Sequence, residues 1–492
     1  MRGSGITRRH LFGMGAGAVA AAGLMPFAGS SAALAEDGGA RRGPFPMAGY
    51  GDRHAYEMSL ANALAFQNRM MDAYAAGATV RLVQSYSDQA LGATAFTYDN
   101  AVSIHAWLVR GHDDDVQRAE VIGDGLIYAQ ANNFPFNDGR FAQGYFVNQA
   151  ATDGSGAFIT PAAFPFYFYT STVGDQAWAG MALAQLYERT RKQKYLDAAL
   201  KVANWIVTNA YNTLGAGGYS FGTNINQYNQ SVPSPNGKST EHNIDTYAFF
   251  EMLARLTNNG ADNNGSPWRR LAAHALAFVL AMYNESGGYF YTGTLGDQVT
   301  INPNPIPEDV QTWSYLALLD NRYKQTIDWA LAKLQTTDTA QAAHSSLTGS
   351  EKYTGMVFDT ASLTTTAYDP NAVWLEGTAH TIAALVARAF AGGENVRARF
   401  ADLATAIGFV KNMELAQAQL GAGQTVHGQT IPLGEGLVAS TSVMDTGFGY
   451  TYGPSLHIGA TGWYLIAAMG GNPFQLGYQS VRREGWERGD ER

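Results

Sequence analysis

Apolar positions along the chain group into two kinds of helical segment, and the two kinds alternate. Six segments read as amphipathic helices with one apolar stripe and a wet opposite face. They cover residues 56–77, 115–132, 194–210, 268–284, 323–337 and 396–419, with Arg, Lys, Glu, Gln or Asp on the polar face. Six others begin with acidic or polar residues and aromatics, then run strongly apolar and rich in Ala and Leu. These cover 96–111, 174–190, 239–257, 307–320, 373–390 and 457–470. A helix apolar nearly all round is packed on both faces, so the second set reads as inner and the first as outer. Six outer and six inner helices in alternation predict an all-α protein, an (α/α)6 barrel of six helical hairpins. An open solenoid of helix pairs produces the same alternation. In either case all six inner helices start at one rim, and their first turns line one mouth.

Between the helices lie long connections rich in Gly, Asn and Pro: 131–173, 211–238, 287–306 and 421–456. Loops of this length inside a compact domain usually carry function. "GAFIT" (156–160) and "GGYFYTG" (287–293) read as short strands of rim hairpins. Ahead of the first helix, Arg8-Arg9 precedes an Ala/Gly-rich apolar run that ends in Ala33-Leu34-Ala35. That is the form of a twin-arginine export signal over 1–35, an address read by the twin-arginine machinery. A linker over 36–49, a barrel domain over 50–476 and a charged, disordered tail over 477–492 complete the expected layout. The chain is thus expected to be exported, to the periplasm or beyond, with no membrane insertion.

Composition removes several classes of chemistry. The 492 residues carry a net charge of −9 and no Cys, with 46% hydrophobic and 15% charged residues. Without a basic face, nucleic acid is not a partner. Without Cys there is no disulfide, thiolate metal site or thiol nucleophile. No H-x-x-x-H, H-E-x-x-H, phosphate-loop or G-x-S-x-G spacing occurs. The pattern calls for no cofactor and no metal, with calcium at rim carboxylates left open.

The chemistry concentrates at the inner-helix starts. They carry Tyr98 and Asp99; Asp175 and Trp178; Glu241, His242 and Asp245; Glu308, Asp309 and Trp313; Trp374, Glu376 and His380; His457 and Trp463. Acids are favoured in any first helical turn, so Asp99, Asp175, Glu308 and Asp309 also read as plain caps. Trp178, Trp313 and Trp374 also read as core. Capping does not explain a His and a second carboxylate one turn further in. Glu241 and Asp245 stand at i and i+4 and point to one side. Two carboxylates in a poorly solvated site separate their pKa values, as acid–base work on a glycosidic bond requires. Glu376 follows two large apolar residues, beside Gly377, with His380 one turn on; a plain buried Glu–His ion pair is the alternative there.

Taken together, Tyr98-Asp99-Asn100-Ala101, Glu241-His242-Asn243-Ile244-Asp245, Trp374-Leu375-Glu376-Gly377, Ala460-Thr461-Gly462-Trp463 and Asn472-Pro473-Phe474 resemble the six-hairpin, (α/α)6-barrel superfamily of carbohydrate-active enzymes. The resemblance spans roughly residues 50–475 and singles out no one family. It implies a glycoside hydrolase acting on an oligo- or polysaccharide, with an acid on one inner-helix start, a base on another and aromatics stacking on sugars. Glu241 is the expected general acid, with Asp245 tuning it. Asp99, Asp309 and Glu376 are candidates for the base. Tyr98, Asp175, Trp178, His242, Trp313, Trp374, His380, His457 and Trp463 are expected to bind substrate. Two rival enzymes use the same barrel: a polysaccharide lyase, and a sugar 2-epimerase working through His242, His380 or His457. The third rival is a non-catalytic glycan-binding protein of the cell envelope. Oligomeric state is not readable.

Overall fold

A computed structural model describes residues 52–76, 80–133, 136–147, 170–226, 228, 230–257, 266–391 and 395–478. The segments expected as export signal, linker and charged tail, together with the "GAFIT" strand, lie outside these residues, apart from the tail's first two positions. Twelve α-helices follow in order: α1 (Arg53–Asp72), α2 (Thr97–Arg110), α3 (Asp113–Ala131), α4 (Val173–Thr190), α5 (Gln193–Ala210), α6 (Thr240–Leu256), α7 (Pro267–Ala281), α8 (Glu308–Leu318), α9 (Gln325–Leu334), α10 (Leu375–Phe390), α11 (Val396–Gln419) and α12 (Ile458–Ala468).

The even-numbered helices form the inner ring. α2 packs on α4, α4 on α6, α6 on α8, α8 on α10, α10 on α12, and α12 back on α2. The ring is therefore closed, and the open solenoid is excluded. α3, α5, α7, α9 and α11 each pack behind the inner helix they follow, and α1 packs behind α12. Glycines allow close approach where inner helices meet: a β-carbon on Gly180 of α4 would sit 2.2 Å from the Phe249 ring of α6.

The short strands belong to the connections between hairpins. Tyr289–Phe290 falls inside the predicted "GGYFYTG" segment and Gly293–Thr294 begins on its last residue, each paired antiparallel with a neighbouring piece of chain. One hairpin was not foreseen: Gln335–Thr339 pairs with Lys352–Met356. The helix expected over 323–337 stops at Leu334 because the next five residues switch to a period of two. Thr336 and Asp338 are buried, while Gln335 and Thr337 face out.

One device recurs at every inner-helix start. The fourth helical residue is Asn100, Gln176, Asn243, Gln311, Thr378 or Thr461. Each donates a hydrogen bond back to the carbonyl four residues earlier (2.7–3.2 Å would be ordinary): to Phe96, Thr172, Ser239, Pro307, Trp374 and His457 respectively. Each also accepts the N–H of one residue in an extended rim segment: Val83, Phe141, Tyr219, Phe290, Met356 and Leu437. The four amides additionally donate to the carbonyl of that same rim residue. A buried peptide group that would otherwise lack partners is satisfied in each of the six hairpins. This repeat fixes the register of the inner helices and anchors the rim.

Candidate active site

With that register set, the second helical residues are Tyr98, Gly174, Glu241, Asp309, Glu376 and Gly459, and one turn below are Val102, Trp178, Asp245, Trp313, His380 and Trp463. Residues four apart share a face, so the two sets form the upper and lower layers of one cavity on the barrel axis. Contacts across the ring bear this out. The Tyr98 hydroxyl of α2 donates to Glu376 Oε1 of α10 at 2.5 Å and accepts from Trp463 Nε1 of α12 at 2.7 Å. Below it, ring centroids of Trp178 and Trp313 are 5.1 Å apart, Trp313 and Trp463 5.8 Å, and Trp178 and Trp463 5.7 Å. Phe474 packs under all three. These tryptophans are buried, and their faces are occupied by one another. They form the floor.

One wall is a chain of alternating charge. His457 Nε2 lies 3.2 Å from Asp99, and its Nδ1 lies 3.6 Å from Glu376 Oε2. His380 Nε2 lies 3.8 Å from Glu376 Oε1, an ion-pair distance, while its Nδ1 lies 3.2 Å from Glu308 Oε2. Thr381 Oγ1 donates to Glu308 Oε1 at 2.7 Å. Burial alone would lower His380, but the hydrogen bonds and charges of Glu308 and Glu376 outweigh it and raise it to about 9. His457 is raised in the same way by Asp99 and Glu376. Burial pushes Glu376 up, yet His380, His457 and the Tyr98 hydroxyl together hold it below its ordinary value. Glu376 is thus kept ionised in a site that otherwise disfavours charge.

The opposite wall behaves in reverse. Glu241 is raised well above the carboxylate range by burial, then by Asp309, Asp175 and Glu376. It alone among the cavity carboxyls keeps partial exposure. Asp245, one turn below, is also raised well above that range, by burial and then Glu241. Its oxygens are buried, and the Trp178 indole N–H works against the rise. Burial and then Glu308 lift Asp309 to about 7, against the Val310 N–H that caps it at 2.6 Å. Burial also lifts Asp175 to about 7, although Thr172 donates to it at 2.6 Å. The site therefore pairs a carboxyl whose pKa is raised, Glu241, with one whose pKa is lowered, Glu376, across Asp309.

No protein-family model matches the chain, and no curated protein matches it in sequence. Solved structures do match. An alpha-mannanase of glycoside hydrolase family 76 from Bacteroides thetaiotaomicron superposes with a TM-score of 0.52 at 12% identity, over 86% of this chain and 96% of that one. A glycosidase variant in complex with glucose gives 0.51 at 12%, over 85% and 98%. A family 76 glycoside hydrolase from a bovine Bacteroides thetaiotaomicron strain gives 0.51 at 11%, over 85% and 78%. The chain is a six-hairpin (α/α)6 barrel. At such identities the likeness establishes the fold alone.

Most residues singled out in the sequence meet in this barrel's cavity, and His242 and Trp374 pack at its edge. His242 reaches from α6 to the upper-layer Gly174 of α4, where a β-carbon would lie 2.5 Å from its ring. Phe221 covers it at 4.5 Å, and burial lowers it to about 3, so it is neutral packing. Trp374 caps α10 and packs edge to face on His380 (5.2 Å) as well as against Phe358 (4.7 Å) and Tyr452 (6.1 Å, stacked). The rim also supplies residues that the helix pattern did not reveal. Tyr86 stacks on His457 at 4.2 Å. The hydroxyl of exposed Tyr450 feels the charges of Glu241 and Asp309. Asp359 is buried beside Asp309, with Oδ1 accepting the Ala361 and Ser362 N–H groups and Oδ2 unpartnered. All three sit in connections without periodicity; the Gly447-Phe448-Gly449-Tyr450 run is the one local signal.

Proposed function

We propose that this protein is an exported glycoside hydrolase that cleaves an oligo- or polysaccharide with inversion. The observation that carries the reading is the opposed protonation of two glutamates in one cavity. Glu241 holds a proton and remains partly accessible, while Glu376 is held ionised by two histidines and a tyrosine. Glu241 donates its proton to the glycosidic oxygen as the bond to the anomeric carbon breaks. A water attacks that carbon from the opposite side, and Glu376 accepts the water's proton. α6 and α10 are second neighbours in the ring, so with neighbouring axes ~9 Å apart they stand roughly 16 Å apart. Two inward-reaching glutamates then leave room for a water beside the sugar, as an inverting site requires. Asp245 beneath Glu241 and Asp309 beside it discourage its ionisation. Tyr86 and Tyr450 offer rings on which sugar faces stack.

The histidine-based rivals fare less well. His380 is buried and held charged between Glu308 and Glu376, and His457, raised by Asp99 and Glu376, already accepts the Ala460 N–H at Nδ1, which leaves neither free to take a proton from a sugar carbon. Among the described residues no helix is long and apolar enough to cross a membrane. Export through the 1–35 segment follows from its arginine pair and remains part of the proposal.

Glu241→Gln should lower kcat by about a thousandfold or more while far- and near-ultraviolet dichroism stay unchanged. Full activity in that variant removes the assignment. The anomer first released, read by proton NMR, tests inversion.

A further inference from the structure

Five carboxyls on one side of the cavity lack a cation of their own. Glu241 and Asp245 stand on α6, Asp309 on α8, Asp175 on α4, and Asp359 on the loop ahead of α10. The charges acting on Glu241, Asp245, Asp175 and Asp359 come from other carboxyls, with no Lys, Arg or His among them. Asp309 feels His380, an imidazole already held between Glu308 and Glu376. Lys238, just ahead of α6, turns away and donates to the carbonyls of Leu214 (2.6 Å) and Gly217 (2.7 Å). Asp245 and Asp359 are fully buried; Asp359 Oδ2 has no hydrogen-bond partner, and Asp245 faces only the Trp178 indole N–H. A buried carboxyl without a partner either takes up a proton or awaits a cation.

We propose that this side of the cavity seats the ammonium group of an amino sugar, so that the substrate is an oligo- or polysaccharide of N-deacetylated hexosamine. The proposal rests on the glycosidase reading and narrows it. A uronate, sulfate or phosphate on the sugar would meet only carboxyls here and be repelled. A fully neutral sugar would leave Asp309 and Asp175 without a cation beside the reacting bond. A metal ion needs converging ligands, and among the described residues no group of three or more His, Cys, Asp or Glu is gathered to hold one. An ammonium asks for less: a point charge with three donors. Asp309 and Asp175, at 5% and 8% exposure, keep a little surface beside partly exposed Glu241, with Asp245 and Asp359 behind them. The Tyr450 ring on the same side adds a face that favours cations. An arriving amine supplies the countercharge that the protein itself omits, while Glu376 keeps its own histidines for the chemistry.

The test uses the Glu241→Gln protein titrated by calorimetry at neutral pH with a glucosamine tetramer, its N-acetylated counterpart and a mannose tetramer. The amine-bearing tetramer should bind at least about tenfold tighter than either neutral one. That preference should shrink in about 0.5 M salt and in added Asp309→Asn or Asp175→Asn variants, whichever folds better. Equal or tighter binding of a neutral tetramer overturns the proposal. If the wild-type protein then cleaves that neutral sugar, the glycosidase reading survives alone. Tight amine binding with no cleavage by the wild type sinks the glycosidase reading and retains the amine seat. A calcium or manganese titration that displaces the amine tetramer would assign the seat to a metal and overturn the proposal.

Discussion

At the scale of single residues, the cavity sorts its acids by what stands beside them. Glu241 and Glu376 occupy the same helical position on α6 and α10, yet one is raised and the other lowered. The difference is His380 and His457, which face only the second. This electrostatics also reaches stability. Asp175, Asp309 and Asp359, each lifted to about 7, hold a proton more tightly folded than unfolded. Their contribution is full below the ordinary Asp value and declines as pH climbs toward 7. His380, raised to about 9, contributes fully below its ordinary value and loses that contribution as pH rises through about 9. Glu376 has the opposite sign, but its loss comes on acidification below the ordinary carboxylate range. Above the ordinary imidazole value, where buried His105 and His242, each lowered to about 3, no longer oppose them, these shifts act downward, and Tm should fall between pH 7 and pH 8. Asp309→Asn should flatten the slope. A Tm that is level or rising over that interval would refute these protonation states. Of this pattern, the sequence disclosed that Glu241 and Asp245 share a face and that Glu376 has a His one turn on. It did not disclose that Glu308 grips His380, because their contact joins two helices 72 residues apart.

At the scale of elements, the inner helices owe their common orientation to the fourth-residue clamp. Asn243 shows its logic: Oδ1 accepts the Tyr219 N–H at 2.8 Å, and Nδ2 donates to the carbonyls of Tyr219 (3.0 Å) and Ser239 (2.8 Å). Asn243→Ala strands the Tyr219 peptide in the interior. It should cost about 2–4 kcal/mol in urea unfolding, as for a buried residue whose partners lose their hydrogen bonds. A loss below about 0.5 kcal/mol would show that the clamp is dispensable. The six clamping residues were present in the sequence, as Asn, Gln or Thr in one register, but residue types that differ conceal a shared role. The elements themselves were more legible. α11 spans Val396–Gln419, the whole of its predicted segment. The Gln335–Thr339 strand was absorbed into the preceding helix because its alternation lasts only five residues.

At the scale of the molecule, closure is the decisive feature. α1 comes first in the described chain and packs behind α12, which comes last. Tyr56 donates to the Ala468 carbonyl at 2.5 Å, and Ser59 bonds the Tyr464 hydroxyl at 2.7 Å. Removing residues 52–72 should expose the back of α12, abolish the cooperative thermal transition and increase binding of an apolar dye. An unchanged midpoint would mean that the ring closes without α1. By itself the sequence determined the helices, their division into inner and outer, and the rim on which chemistry gathers. Those properties follow from local periodicity and from the solvation of each helix face. Closure of the ring, the opposed charge states of Glu241 and Glu376, and the places of Tyr86, Tyr450 and Asp359 were decided only in the tertiary structure. Each depends on groups far apart in the chain meeting in a dry cavity, where the nearest charge rather than the residue type sets the protonation state.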